Sequence, residues 1–251
     1  MDWQDEALVL TVRPHGETSA IVDLFTPAHG RHAGIVRGGL SRRMAAVLQP
    51  GTQVQARWQA RLEDQLGRLT LEPLRSRAAL WDDRTALAAL AAVCQMVAAL
   101  LPPRDPHPGL YAATLSLLDT AGPGERWARL YLAWERLLLD ELGFGLDLST
   151  CALTGSRVNL TFVSPKTGRA VSQAAVDRGL AGDWADRLLP LPAVLRPDAG
   201  AATPLPPADL AAGLTLTGHF LNRLAAEIGA APLPAARARL VERLTAPSAE
   251  A

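Results

Sequence analysis

Residues 53–62 read QVQARWQARL, and their reading decides the fold. Val54, Ala56, Trp58, Ala60 and Leu62 take one parity, and Gln53, Gln55, Arg57, Gln59 and Arg61 take the other. Successive side chains of a strand point to opposite faces, so the stretch predicts a strand with one buried and one wet face. A turn over 63–67 leads to RLTLE at 68–72, where Leu69 and Leu71 alternate against Arg68, Thr70 and Glu72. Toward the N-terminus lie three more strand patterns. Glu6–Arg13 is nearly all apolar, as in a strand covered on both faces. Ser19–Thr26 is the second, and 31–37 the third, after the turn signal Pro27-Ala28-His29-Gly30. Five short strands in about 80 residues, with turns between them, suggest a small barrel. The five-stranded OB-fold is one such barrel, and it binds oligonucleotides on its strand 2–3 face and its loops.

Beyond residue 82 the period becomes helical. Residues 82–101 are rich in Ala and Leu, with Asp82 or Asp83 as the N-cap. Pro102–Pro108 break the chain before a second helix over 109–120. A third, over 125–142, carries Trp127, Leu130, Tyr131, Trp134, Leu137, Leu138 and Leu142 at three- and four-residue steps, with Gly143 as its C-cap. Residues 143–172 read as irregular, with turn signals at 154–156 and 164–168. A Pro-rich loop (190–207), helices over 207–228 and 234–245, and a frayed tail, TAPSAEA, follow. The fold class is therefore α+β: a barrel over 1–80, an all-α domain from 81–145 and 207–246, and an irregular insert with its Pro-rich loop over 146–206.

Composition narrows the function. A chain of 251 residues with 49% hydrophobic and 20% charged residues can bury a core and is not disordered. Its formal net charge is zero, so a site for a polyanion must be local. Of the 25 Lys and Arg residues only Lys166 is lysine, which reads as coding bias from a GC-rich genome and weakens any argument from arginine alone. Two cysteines make no disulfide framework, which suits a reducing cytosol; Cys94, in an apolar helical run, reads as a buried thiol. The acidic start, MDWQDEALVL, is not a signal peptide. The longest apolar stretch, 86–101, is short of the ~20 residues that span a membrane. No dinucleotide, phosphate-loop, serine-hydrolase or zinc-protease motif occurs, and no acid pair stands out. His29 and His32 read as exposed loop histidines, His15 and His107 lie beside prolines, and His219 is mid-helix. These absences favour a binding protein over an enzyme: no catalytic residue, cofactor or metal is expected.

Three surfaces are candidates. Residues 29–43, HGRHAGIVRGGLSRR, hold Arg31, Arg37, Arg42 and Arg43 and no acid. Arg31 and Arg37 share strand parity, and Arg42 and Arg43 follow in a glycine-containing loop that can approach a backbone closely. The plainer reading is a solvated loop. The second candidate is the wet face of the 53–72 hairpin, with Arg57, Arg61 and Arg68. Arg61 facing Arg68 would cost stability and so hint at an anionic ligand, unless Glu63 and Glu72 neutralise the pair. Trp58 falls on the core parity, whereas Trp3 lies outside the strand pattern and is free to stack on a base. The third is Arg126, Arg129 and Arg136 beside Trp134, either an arginine-rimmed apolar pocket for an acidic peptide or simply an amphipathic core helix.

Three segments together resemble one family. They are WQDEALVLTVRPHGETSAIVDLFTPAHGRHAGIVRGG (3–39), WERLLLDELGFGLDLSTCALTG (134–155) and FVSPKTGRAVS (162–172). In this order and spacing they are similar to the RecO family of DNA repair and recombination mediators, over nearly the whole chain. The resemblance implies an N-terminal OB-fold, a helical domain and a zinc-finger-like insert. It implies binding of single- and double-stranded DNA, strand annealing and action with RecR, with no chemical step. It further implies loading of RecA onto strands coated by single-stranded DNA-binding protein (SSB), whose acidic C-terminal tail the family contacts, and a cytoplasmic, nucleoid-associated location. A rival reading is an adaptor that binds only protein partners, so that DNA contact is indirect. If five arginines engage single-stranded phosphates, affinity should fall with salt with a log–log slope of roughly −3 to −4. One departure stands out. Zinc-bearing members supply two C-x-x-C pairs, which here fall on Cys151/Thr154 and Ser172/Ala175. One thiol of four does not hold tetrahedral zinc, so hydrogen bonds and packing are expected to hold the insert, with Cys151 a structural remnant.

Overall fold

The computed structural model describes residues 1–62, 65–197 and 205–246. Glu63, part of the 63–67 turn, much of the Pro-rich loop and the end of the TAPSAEA tail lie outside the described residues.

The alternation of residues 53–62 becomes one wall of a closed barrel. Its strands are β1 (Asp2–His15), β2 (Ser19–Thr26), β3 (Gly30–Val36), β4 (Gln53–Gln59) and β5 (Arg68–Arg75), in the order β1-β2-β3-β5-β4. β1 serves two partners. Its first half pairs with β4, from Asp2↔Gln59 to Leu8↔Gln53, and its second half with β2, from Leu8↔Phe25 to His15↔Ser19. A register shift between Val9 and Thr11 bends β1 from one partner to the other. The barrel closes through parallel pairing of β3 with β5 at Ile35↔Arg68, which is OB-fold topology. The parity read in the sequence holds within β4, where Val54, Ala56 and Trp58 join Ala7, Val9, Val22, Leu24 and Leu69 in the core, but fails past its end, where Leu62 is 55% exposed. Each fully buried Val or Leu contributes about 1.5–3 kcal/mol.

Two boundaries differ from the reading. β1 begins at Asp2, so Trp3 is a strand residue, and β4 ends at Gln59, before Arg61. Residues expected as a loop after β3 form a short helix, α1 (Arg42–Val47), whose N-cap Ser41 accepts from the Met44 N–H. Its one-and-a-half turns are too short for a periodic signal.

α2 (Arg84–Leu100) is capped by Asp83, whose carboxylate accepts from the Ala86 N–H at 2.6 Å, and α3 (Pro108–Asp119) follows. Both belong to the same compact unit as the barrel, Met1–Pro123 with Leu233–Leu240. Arg77 explains part of that cohesion. Its guanidinium is buried, donates through Nε and Nη2 to Asp119 Oδ1, and through Nη1 to the Gly51 carbonyl at 2.8 Å. Arg75 takes the other Asp119 oxygen at 2.6 Å.

The second unit, Gly124–Pro232 with the stretch from Val241, is built on α4 (Glu125–Glu141). The insert expected to be irregular holds a three-stranded antiparallel sheet, β7-β6-β8: β6 (Leu160–Val163), β7 (Ala170–Ser172) and β8 (Leu189–Pro190), with α5 (Gln173–Asp177) after β7. Strands of two to four residues leave no readable period, which is why the sequence showed only turns. α6 (Pro207–Glu227) packs on α4, where the buried Glu135 carboxylate accepts from Thr217 Oγ1 at 2.5 Å. α7 (Ala235–Thr245) closes the described chain. No helix among the described residues is long and apolar enough to cross a membrane.

Candidate nucleic-acid interface

The outer face of β2 and β3 carries Ile21, Asp23 and Phe25 against Arg31, Ala33 and Ile35. Half of this face is covered. Phe25 is fully buried, its ring 5.3 Å edge-on from Tyr111 of α3. Gly30 (φ +60°) lies so close to Asp105 that a Cβ there would sit 2.0 Å from its carbonyl oxygen. Arg31 is drawn into this contact. Its Nε donates to the Leu101 carbonyl at 2.9 Å, Nη1 lies 3.8 Å from Asp23, and its own carbonyl accepts from the Arg104 N–H. Arg31 shares parity with Arg37, as read, but the structure spends its guanidinium on the fold.

The other end of β3 is open. Arg37, Arg42 and Arg43 are all exposed. The loop that joins them is tied to the β1–β2 turn, since the Leu40 N–H donates to the Thr18 carbonyl at 3.1 Å. Close to that turn, on β1, stands Arg13, 66% exposed and ion-paired with Asp23 at 3.6 Å, while the turn itself carries the exposed acid Glu17. Arg42 and Arg43 stand in the first turn of α1, which has no acid, although cations are disfavoured at a helix N-terminus. Their placement does not serve the helix. One barrel end therefore gathers Arg13, Arg37, Arg42 and Arg43.

The second candidate face changes character. Arg68 faces Gln59, and Arg61 lies two residues past the end of β4, so the two arginines are not cross-strand partners. Arg57 is 3.5 Å from Asp2, Gln53 donates to Glu6 at 3.0 Å, and Glu72 faces Gln55. This face is mixed in charge rather than basic. Glu63, proposed as a neutralising partner, lies outside the described residues.

The third candidate dissolves into core. Trp127, Tyr131 and Trp134 stack along α4 at 5.5 and 5.9 Å, and Trp134 is 3% exposed. Arg129 is held by Glu125 one turn earlier at 2.7 Å, while Arg126 and Arg136 are exposed. A tryptophan whose faces are committed to core cannot line a peptide pocket, so the amphipathic-helix reading describes this surface.

In the insert, Cys151, Thr154, Ser172 and Ala175 do converge, but around sulfur rather than metal. Cys151 Sγ is buried and accepts from the Ser172 N–H at 3.3 Å and Ser172 Oγ at 3.4 Å. Burial alone would raise its pKa; hydrogen bonds from the Ser172 and Thr154 hydroxyls and from the Ser172 and Leu153 N–H groups outweigh burial and lower it to about 6. One thiolate, two hydroxyls and a methyl do not fit a tetrahedral zinc ion. Among the described residues no group of three or more His, Cys, Asp or Glu gathers to hold a metal.

The barrel mouth at the start of β1 holds a ring cluster that sequence reading missed. Trp3 lies between His29, stacked at 4.3 Å, and Trp58, stacked at 6.0 Å, so both its faces are taken and no base can stack on it. His32 meets Trp3 and Trp58 edge-on, is 5% exposed, and has no hydrogen-bond partner on either ring nitrogen. Burial, then the nearby charges of Arg104 and His29, lowers its pKa to about 4, so the ring is neutral at pH 7. It is a core residue, not an exposed loop histidine. Trp3 and Trp58 share the inward parity of their strands, and that was the available signal.

Comparison with known proteins agrees with the fold. Residues 1–77 match the model of the recombination protein O N terminal family, and 82–227 that of the recombination protein O C terminal family. Relatives named DNA repair protein RecO include one from Cereibacter sphaeroides, 54% identical over 97% of this chain and 98% of the relative. One from a Jannaschia species is 53% identical (97% and 96%), and one from Dinoroseobacter shibae 50% (98% and 98%). With an OB-type barrel followed by helices, both family models matched, and relatives 50–54% identical over nearly the whole chain, the chain belongs to the RecO family of DNA repair and recombination proteins.

Proposed function

We propose that this chain is a recombination mediator that binds single- and double-stranded DNA without sequence specificity and promotes strand annealing. With RecR it loads RecA onto SSB-coated strands in the cytoplasm, at the nucleoid, and carries out no chemical step. The observation that carries the reading is the exposed basic end of the barrel, Arg37, Arg42 and Arg43 with Arg13 beside them. Phosphate contacts there hold a strand by charge, while partner contacts bring the protein to coated DNA. Arg68, which pairs with Ile35 two residues before Arg37, extends this cationic surface, and Arg61 is exposed past the end of β4; Arg13, Arg31 and Arg57 contribute less, being paired within the protein. For the acidic SSB tail, the exposed cations of α4 are Arg126 and Arg136.

A second reading, an adaptor that reaches DNA only through RecR or SSB, draws on the covered half of the β2–β3 face and the mixed charge of the β1–β4–β5 face. Titration of labelled oligothymidine with the isolated protein separates the two. Direct binding that weakens with salt supports the mediator reading; no binding at 50 mM salt leaves the adaptor.

A further inference from the structure

The ring cluster at the barrel mouth ends at solvent in one place. Trp58 stacks on Trp3 and Trp3 on His29, so three near-parallel rings form a ladder that starts in the core and finishes at the imidazole. Trp58 is held at the inner end by its indole N–H, which donates to the Leu66 carbonyl at 3.0 Å. His29 is held at the outer end by Asp5, whose Oδ2 lies 3.2 Å from Nδ1 and also accepts from the Ala28 N–H at 3.1 Å. One face of the imidazole rests on Trp3 and one edge on Asp5, yet a third of the side chain is open. With one face on Trp3 and one edge on Asp5, the face away from Trp3 is the one left to meet solvent. An aromatic ring fixed in its plane, one face buried and the other wet, has the geometry of a stacking platform. A cation stands at the same mouth: the charge of Arg104 reaches His32 of this cluster, and its exposed guanidinium donates to the Gln65 carbonyl, while Asp5 and Asp105 are the acids nearby.

We propose that the outer face of His29 is a stacking site for an unpaired nucleobase, the terminal rung of the Trp58–Trp3–His29 ladder, with Arg104 positioned for the adjoining phosphate. The proposal rests on the reading that the barrel binds DNA directly, and adds to it a contact made with the base rather than the backbone. Stacking accepts any base, because each has a π-face, so the site leaves binding non-specific while distinguishing single strands from duplex, whose bases are already stacked.

The experiment compares the full-length protein with His29→Ala and His29→Tyr on three ligands of equal length: oligothymidine, an abasic oligonucleotide and duplex DNA, each over a salt series. His29→Ala is expected to weaken oligothymidine binding roughly fivefold or more, while leaving the salt slope and duplex affinity unchanged. His29→Tyr restores the loss, which a merely structural defect would not permit. Wild type should prefer oligothymidine to the abasic strand by the factor that His29→Ala removes. Equal wild-type affinity for the two single strands, or an unchanged His29→Ala, overturns the platform and leaves phosphate binding intact. Absence of wild-type binding to all three ligands overturns both.

Discussion

Replacing Arg37, Arg42 and Arg43 together by Ala tests how the charge of this protein is used. Four arginines share the 29–43 run, but the structure commits Arg31 to the Leu101 carbonyl and Asp23 and leaves only the other three exposed. Each single-stranded phosphate engaged adds about 0.7 to the salt slope, so the three account for a slope near −2. The triple variant should lose that part of the slope, and at 0.1 M salt the corresponding affinity loss is roughly a hundredfold. The assay is fluorescence anisotropy of labelled oligothymidine from 50 to 400 mM salt. Arg31→Ala is the control: it removes a buried-side hydrogen bond and should lower the melting temperature while leaving the slope alone. A triple variant with the wild-type slope refutes the reasoning, as does an Arg31→Ala whose slope falls as far as that of the triple variant.

Asp119→Ala strands the Arg77 guanidinium, 4% exposed, without its carboxylate, and should cost about 3–5 kcal/mol, read from urea unfolding; a loss under 1 kcal/mol contradicts the clamp. Cys151 sets a pH dependence. Its folded pKa, about 6, lies below its ordinary value of 9.0, so the stability it contributes is full above pH 9 and is lost as pH falls toward 6. The stability gap between wild type and Cys151→Ser should therefore narrow from pH 9 to 6; a gap that does not change with pH speaks against the thiolate. Because one thiolate and two hydroxyls stand where four zinc ligands would, neither a chelator nor added zinc should move the melting temperature. A zinc-dependent rise would show a ligand set that the described residues do not contain.

Much of the fold was legible because its elements are long enough to show a period. Val54, Ala56 and Trp58 alternate over a full strand, and Trp127, Tyr131, Trp134 and Leu138 repeat along α4 at three- and four-residue steps. The sheet of the insert was not legible, since two to four residues hold no period. α1 was hidden for the same reason. The candidate sites fared less well. Parity placed Arg31 and Arg37 on one face, but parity says nothing about what lies above that face.

The sequence by itself determined the barrel, its inward residues and the helices that follow, because these depend on spacing along the chain; the loss of three zinc ligands was legible only through the family resemblance. Only the tertiary structure decided which arginines are free. Arg31 is tied by residues near 101, Arg57 by Asp2, and Arg77 by Asp119, partners 42 to 70 positions distant. It also brought His29, Trp3 and Trp58 into one ladder, from three strands or turns with no sequence relation. Charge and ring contacts act through space, and the closing of the barrel sets those distances.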